Sequence, residues 1–229
     1  MAIAYTLDMK WLVLVVPLLL LLGPARHSAW ADKPARITLP APITSGDMSL
    51  EEALASRRST RRVSSEPLSM ATIGQLLWAA QGITLPSKGF RTAPSAGARY
   101  PLRLYVLLPS GLYAYQPKGH WLSQRSPKDL RSAFWKDVYT RPWLASAPAM
   151  FLIAADYRRT TEKYGRKARR FVDLEAGHAG QSLLLQSTSL GLHGVGVGAF
   201  HAQRTRKTLT LPAEQELLYV IVVGSPHKQ

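Results

Sequence analysis

The sequence predicts one domain that mixes helices and strands around a single sheet. Three observations carry that prediction. Leu102, Leu104, Val106 and Leu108 alternate as in a half-buried strand, and Pro109-Ser110-Gly111 turns it into Leu112-Tyr113-Ala114-Tyr115, its hairpin partner. Residues 217–223 form a nearly continuous apolar run, as in a strand central to a sheet. Residues 166–190 form the longest helical stretch, with Phe171, Leu174, His178, Gln181, Leu185 and Ser189 close to one stripe.

Residues 1–31 have the form of an export signal. Lys10 precedes a 12-residue apolar run from Trp11 to Leu22, followed by Gly23-Pro24 and the cleavage signature Ala29-Trp30-Ala31 before Asp32. A membrane span needs about 20 apolar residues, and Pro17 interrupts the run, so cleavage is expected; an uncleaved anchor is the alternative. No cysteine is present to carry a lipid, and no twin arginine precedes the run. General export to the periplasm or another extracytoplasmic space follows.

The full chain of 229 residues has 29 basic and 14 acidic side chains. The leader holds Lys10, Arg26 and Asp8. Its removal leaves 198 residues with 27 basic and 13 acidic groups, a net charge of +14. One domain of that size buries a real core. The lack of cysteine excludes disulfides and thiolate metal sites. The charge attracts anions, either anionic phospholipid or a phosphorylated cofactor. Nucleic acid is disfavoured, because the chain has neither zinc-finger spacing nor an arginine-rich aromatic module.

The remaining elements follow in order. Residues 32–46 are an extended, Pro- and Ala-rich lead-in, and the domain proper spans 47–229. Asp47 or Ser49 caps a helix from about Leu50, with Glu51 and Glu52 at its positive end. Ser69 caps a second helix through Ile73, Leu76, Leu77 and Ala80, which Gly82 stops. Residues 84–99 form a turn-rich loop, 127–139 a surface helix, and 149–155 a short apolar strand. Gly177 and Gly180 in the long helix permit close approach of another helix or a ring, and Gly191-Leu192 ends that helix.

Two segments carry the chemistry. Ser56-Arg57-Arg58-Ser59-Thr60-Arg61-Arg62 suits a phosphate, because guanidinium groups offer paired donors in fixed geometry. Arg57, Arg58 and Arg61 lie near a helix end, where one or two can turn inward; a solvated basic face is the other reading. Gly194, Gly196 and Gly198 alternate with Val195 and Val197, which in a strand gives one bare and one apolar face. A planar ligand can lie against a bare face while backbone amides reach its edge, stabilising negative charge on a reduced flavin ring. A tightly packed strand is the alternative. The spacing is not the Rossmann fingerprint, since the glycines follow a helix. Other devices are missing. There is no G-x-S-x-G and no H-E-x-x-H, Ser59 and Ser95 lack a placed base, and Glu175, His178, His193 and His201 lack metal-ligand spacing. A flavin enzyme accounts for this poverty, because the cofactor carries the electrons and the protein positions it.

These segments, in this order, resemble the nitroreductase-like flavin superfamily, nearest its azoline-oxidase-type dehydrogenases from peptide maturation. The matching strings are 56–61, 67–69 with 75–82, Pro94-Ser95-Ala96-Gly97-Ala98-Arg99-Tyr100-Pro101, Leu174-Glu175-Ala176-Gly177-His178-Ala179-Gly180-Gln181, 190–192 with 196–200, and 223–226. The resemblance spans roughly 50–226. It implies a three-layer α+β fold with a central, mostly antiparallel sheet flanked by helices, a long core helix, and a homodimer with one FMN per subunit at the interface. By that similarity Arg57, Arg58 and Arg61, assisted by Ser59, hold the phosphate and ribityl chain. Pro94, Ser95 and Gly97 approach the flavin from the other subunit. Gly196, Val197 and Gly198 lie beside the ring, and His178 and Gln181 face inward.

Two departures stand out. Ala98 and Tyr100 replace the Asn and Gln of well-studied nitroreductases, and Lys228 is the only candidate for the basic residue that members often carry past the last strand. The implied activity is FMN-dependent oxidoreduction by alternating half-reactions between an unidentified donor and a small organic acceptor. Solvent or Tyr100 supplies acid–base help. A degenerate binding module without flavin and a basic envelope-binding domain are the rival readings.

Overall fold

The computed structural model describes residues 35–136 and 145–227. The expected leader, the start of the lead-in, residues 137–139 of the expected surface helix, and Lys228 lie outside them. Among the described residues no helix is long and apolar enough to cross a membrane.

Seven strands form one sheet. They are β1 (Arg36–Thr38), β4 (Leu102–Leu108), β5 (Gly111–Gln116), β6 (Trp121–Ser126), β7 (Ala149–Ala155), β8 (His193–Val197) and β9 (Glu216–Gly224), in the order β1-β6-β5-β4-β7-β9-β8. Every neighbouring pair runs antiparallel. The expected turn-rich loop contains a small separate hairpin, β2 (Ile83–Leu85) with β3 (Phe90–Arg91).

Strand alternation divides the apolar residues into two cores, one on each sheet face. Leu102, Leu104, Val106 and Leu108 of β4, with Phe151 and Ile153 of β7 and Ile221 and Val223 of β9, face two helices, α2 (Met70–Gln81) and α5 (Ala168–Ser189). Tyr105 and Leu107, with Met150, Leu152, Val220 and Val222, face the other way. There they meet Phe134 of α3 (Arg131–Trp135) and Leu209, just past α6 (Ala202–Thr208). The result is the three-layer α+β fold. Each fully buried large side chain, such as Phe151 or Leu76, contributes roughly 1.5–3 kcal/mol.

Three expectations need correction. The strand at 102–108 is buried on both faces, not half-buried, because α3 and α6 cover its second side. The expected surface helix at 127–139 is helical over 131–135, and its Phe134 is fully buried. The buried stripe of α5 is Ala168, Val172, Glu175, Ala176, Ala179, Gly180, Leu183, Leu184 and Ser187. His178 and Gln181 therefore point outward, not inward, and Leu174 is 52% exposed.

The caps follow the sequence. Ser49 caps α1 (Leu50–Ser56): its Oγ accepts from Glu52 N–H at 3.1 Å while Glu52 Oε2 accepts from Ser49 N–H at 2.8 Å. Ser69 caps α2 through Thr72 N–H. α1 ends at Arg57, which delivers the arginine run to the edge of the sheet.

Candidate functional site

β8 is an outer strand, so one side of its backbone is not paired within the sheet. The chain leaving α1 covers that side at one point. Ser59 forms a parallel bridge to Gly194, and Thr60 N–H donates to the Gly194 carbonyl at 3.1 Å. Val63 then bridges to Pro226, and Ser64 N–H donates to the Ser225 carbonyl at 2.9 Å. The arginine turn and the glycine strand, more than 130 residues apart in sequence, are thus brought together.

The arginines divide. Arg58 Nη1 donates to the carbonyls of Ala55 at 2.8 Å and Arg57 at 2.9 Å, so it closes the C-terminal end of α1. That helix end is the negative end of the dipole and gives an anion no help. Arg57, Arg61 and Arg62 have no ion pair or hydrogen bond through their side chains among the described residues. Charge for an anion therefore comes from free guanidinium groups. Arg62 also lines a cavity of about 670 Å³ with Ser64, Ser65, Ser225 and His227.

The glycines divide as well. Val195 and Val197 sit in the second core, which turns Gly194 and Gly196 toward the α5 side, and Gly198 follows just past the strand. A side chain at Gly194 would touch Leu184 and Ser187 of α5 at 3.2 and 3.3 Å. At Gly196 it would collide with the hydroxyl and ring of Tyr219, and at Gly180 of α5 with the same ring at 2.8 Å. Tyr219 thus fills a slot between α5 and β8 that only two glycines leave open. Gly198 has nothing within 4 Å of the position of an added side chain. The bare face is packed at 194 and 196 and open at 198.

The loop from Pro94 to Tyr100 is a separate construction. A short 3-10 turn spans Ala96–Ala98, and Gly97, Ala98 and Tyr100 all have left-handed φ, at 59°, 53° and 46°. Two of these are not glycine, so the surroundings must hold the strain. Tyr100 N–H donates to Ser95 Oγ at 2.8 Å, Arg91 N–H donates to Tyr100 Oη at 3.3 Å, and the Arg91 guanidinium stacks 4.6 Å from the Tyr100 ring centre. Arg91 Nη1 also donates to Gln81 Oε1 at 2.7 Å. A side chain at Gly97 would meet the Tyr164 hydroxyl at 2.8 Å and the Lys163 ammonium at 3.1 Å. Beneath the loop lies Glu175, 2% exposed. Burial pushes its carboxyl up to about 7, while Ser95, Arg91, Gln81 and Arg159 favour the charged form. No hydrogen bond, ion pair or ring contact among the described residues ties this loop to the arginine turn or to β8.

The sequence pattern of the nitroreductase family matches residues 54–225, which include the arginine turn, the loop and the glycine strand. The chain belongs to the nitroreductase family. A nitroreductase-type protein of Methanocaldococcus jannaschii is 37% identical over 171 residues, covering 72% of this chain and 86% of its own. The crystal structure of a nitroreductase-type protein from Ralstonia eutropha superimposes with a TM-score of 0.78 at 30% identity, over 86% of this chain and 95% of that one. The NADPH:FMN oxidoreductase of Vibrio harveyi, solved with NAD+, shares the nitroreductase fold alone, with a TM-score of 0.59 at 17% identity, over 78% of this chain and 69% of that one.

Two features escaped sequence reasoning. Tyr219 was hidden in an apolar strand, although the paired small residues Gly180 and Gly196 are the signal for a ring between them. The brace under the loop was hidden because Glu175 is far in sequence from Gln81 and Arg91. The signal was a glutamate falling on the apolar stripe of α5.

Proposed function

We propose that this nitroreductase-family chain is an FMN-dependent oxidoreductase acting on a small organic acceptor. The observation that carries the reading is the junction of Ser59 and Thr60 with Gly194, which sets unpaired guanidinium groups beside a glycine strand whose far end, at Gly198, is open. A dianionic phosphate and a flat ring fit this donor set. Arg57 and Arg61 would hold the phosphate with help from Ser59, while Arg58 maintains the helix end. The backbone of Gly196, Val197 and Gly198 would flank the ring, with Tyr219 packed behind Gly196. The bound flavin would supply two-electron transfer by alternating half-reactions; the chain's own part is to bind, orient and exclude water.

Among the described residues no hydrogen bond or ion pair joins Pro94, Ser95 and Gly97 to that edge, and in our reading they would serve the partner's cofactor in a homodimer. An apolar surface suits such a partner. Leu50 is 60% and Ile43 64% exposed, and Leu54, Leu174 and Leu190 are also exposed. Ile43, Leu50, Trp78, Leu185 and Leu190 border a groove of about 600 Å³. Such an apolar patch marks an interaction surface. We further place the protein outside the cytoplasm, on the strength of the leader-like residues 1–31, and nearest the azoline-oxidase-type branch, without its peptide substrate.

The packing of Tyr219 against Gly196 favours a second reading, a family member that keeps the fold without the cofactor. One experiment separates the two. The purified chain is expected to be yellow, to release FMN identified by mass at one per chain, and to sediment as a dimer. A colourless protein that takes up no FMN on titration supports the second reading.

A further inference from the structure

Three half-buried arginines meet at the foot of the Pro94–Tyr100 loop, and none has an ion pair among the described residues. Arg91, at the end of β3, is fixed by Gln81 and the Tyr100 ring, and its Nε is buried without a hydrogen-bond partner. Arg103 lies on β4, two residues past Pro101, beside Ala154 of β7, and its Nη1 donates to the Leu102 carbonyl at 3.3 Å. Asp156 N–H donates to the Pro101 carbonyl at 3.1 Å, so the loop's exit is tied to the start of α4 (Arg158–Tyr164), which carries Arg159. One turn further along α4, the Lys163 ammonium lies 3.1 Å from the position of an added side chain at Gly97. The basic groups repel: Arg91 with Arg103 and Arg159, and Arg103 with Arg159. Two acids reach them. Asp156 attracts Arg103 but is held by Arg158 through contacts of 2.9 and 2.8 Å. Glu175 attracts Arg91 and Arg159 without an ion pair to either.

Like charges drawn together and partly desolvated cost stability unless an opposite charge joins them. Guanidinium forks match the paired oxygens of a carboxylate or phosphate. We propose that Arg91, Arg103 and Arg159 form an oxyanion site at the foot of the loop, which takes the carboxylate or phosphate group of the small organic acceptor. The three come from different elements, β3, β4 and α4, so their convergence is a product of the fold and not of a basic run in the sequence. The site is separate from the arginine turn at 57–62, which no printed contact joins to this loop. The role in the acceptor rests on the flavin reading above: the loop is presented to the partner's ring, and an acid group fixed at its foot would aim the rest of the molecule at that ring.

The first test needs no flavin. Inorganic phosphate is titrated by calorimetry into the full chain carrying Arg57→Ala and Arg61→Ala, so that the arginine turn does not compete. Binding is expected, and adding Arg103→Gln or Arg159→Gln should weaken it at least about tenfold, the size of one charge-assisted contact. Without phosphate, the urea midpoint of these variants should hold or rise, because a repelling charge is gone. The second test gives the flavin-loaded chain two aromatic nitro compounds that differ by one carboxylate. The wild-type protein should favour the acid at least about tenfold in kcat/KM, and that ratio should fall toward one in Arg103→Gln. No phosphate binding, binding untouched by both substitutions, or a lowered urea midpoint, as for a structural brace, overturns the inference. Phosphate binding that the variants lose, with no preference for the acid, assigns the site to free phosphate and overturns its role in the acceptor. If phosphate binds as expected but the wild-type chain never takes up FMN, the flavin reading fails and the oxyanion site stands.

Discussion

The edge formed by Arg57–Arg62 with β8 and the loop braced by Glu175 solve opposite problems. At the edge, charge is plentiful and unspent: among the described residues the guanidinium groups of Arg57, Arg61 and Arg62 have no partner, and Gly198 faces open space. Under the loop, charge is enclosed. The Nε atoms of Arg91 and Arg99 and one oxygen of Glu175 are buried without a hydrogen-bond partner among the described residues, and Gly97, Ala98 and Tyr100 sit in left-handed conformations. The first arrangement is what an exchangeable anion needs, because its binding energy must come from groups not already used in folding. The second is what a rigid wall needs, because strain persists only where many contacts over-determine it.

The comparison breaks most easily at the edge. Arg57→Ala with Arg61→Ala should weaken FMN binding by at least about 100-fold, since each charge-assisted contact is worth roughly 1.5–3 kcal/mol. It should leave the urea midpoint unchanged, because neither group holds the fold. Flavin fluorescence titration and urea unfolding together check this.

The braced loop should behave in reverse. The carboxyl of Glu175 is raised from 4.5 to about 7 by burial. A raised folded-state value means that its contribution to stability is full below pH 4.5 and is lost as pH rises through 7. Glu175→Gln should therefore be more stable than wild type at pH 8, by about 1–3 kcal/mol, and lose that advantage by pH 5. Paired urea titrations at the two pH values read the difference.

Gly196→Ala probes the join between edge and core. The new methyl meets Tyr219, so unfolding should be easier by about 1–3 kcal/mol. In a Tyr219→Ala background the same substitution should cost almost nothing, which a double-mutant cycle by urea denaturation reveals. Smallest is Arg58→Ala. Losing its two carbonyl contacts should cost about 0.5–1 kcal/mol of stability and leave FMN affinity within about threefold, setting Arg58 apart from Arg57 and Arg61.

Much of this was legible beforehand because it is local. Ser49 and Ser69 announce their helices, Gly82 stops one, and Pro109-Ser110-Gly111 turns a hairpin. Period-two alternation marked β4 but not its second buried face, since the cover comes from α3 and α6, distant in sequence. Helical periodicity placed α5 but not its inward side. Two stripes were available, and the one with Leu174, Leu185 and His178 proved to be the outward one, because the small residues Ala176, Ala179 and Gly180 allow the close approach that the sheet demands. The arginine run and the glycine strand were each visible, and their junction at Gly194 depends on an edge-strand position no single segment encodes. Tyr219 and Glu175 show the same limit. Each acts through neighbours that only the folded chain assembles.

A crystal structure of the chain grown with FMN tests the central claim most directly. The account predicts the phosphate against the Arg57 and Arg61 guanidinium groups and the ring edge beside the backbone of 196–198 in the same subunit. A cofactor seated elsewhere, with its phosphate away from both arginines, would contradict it.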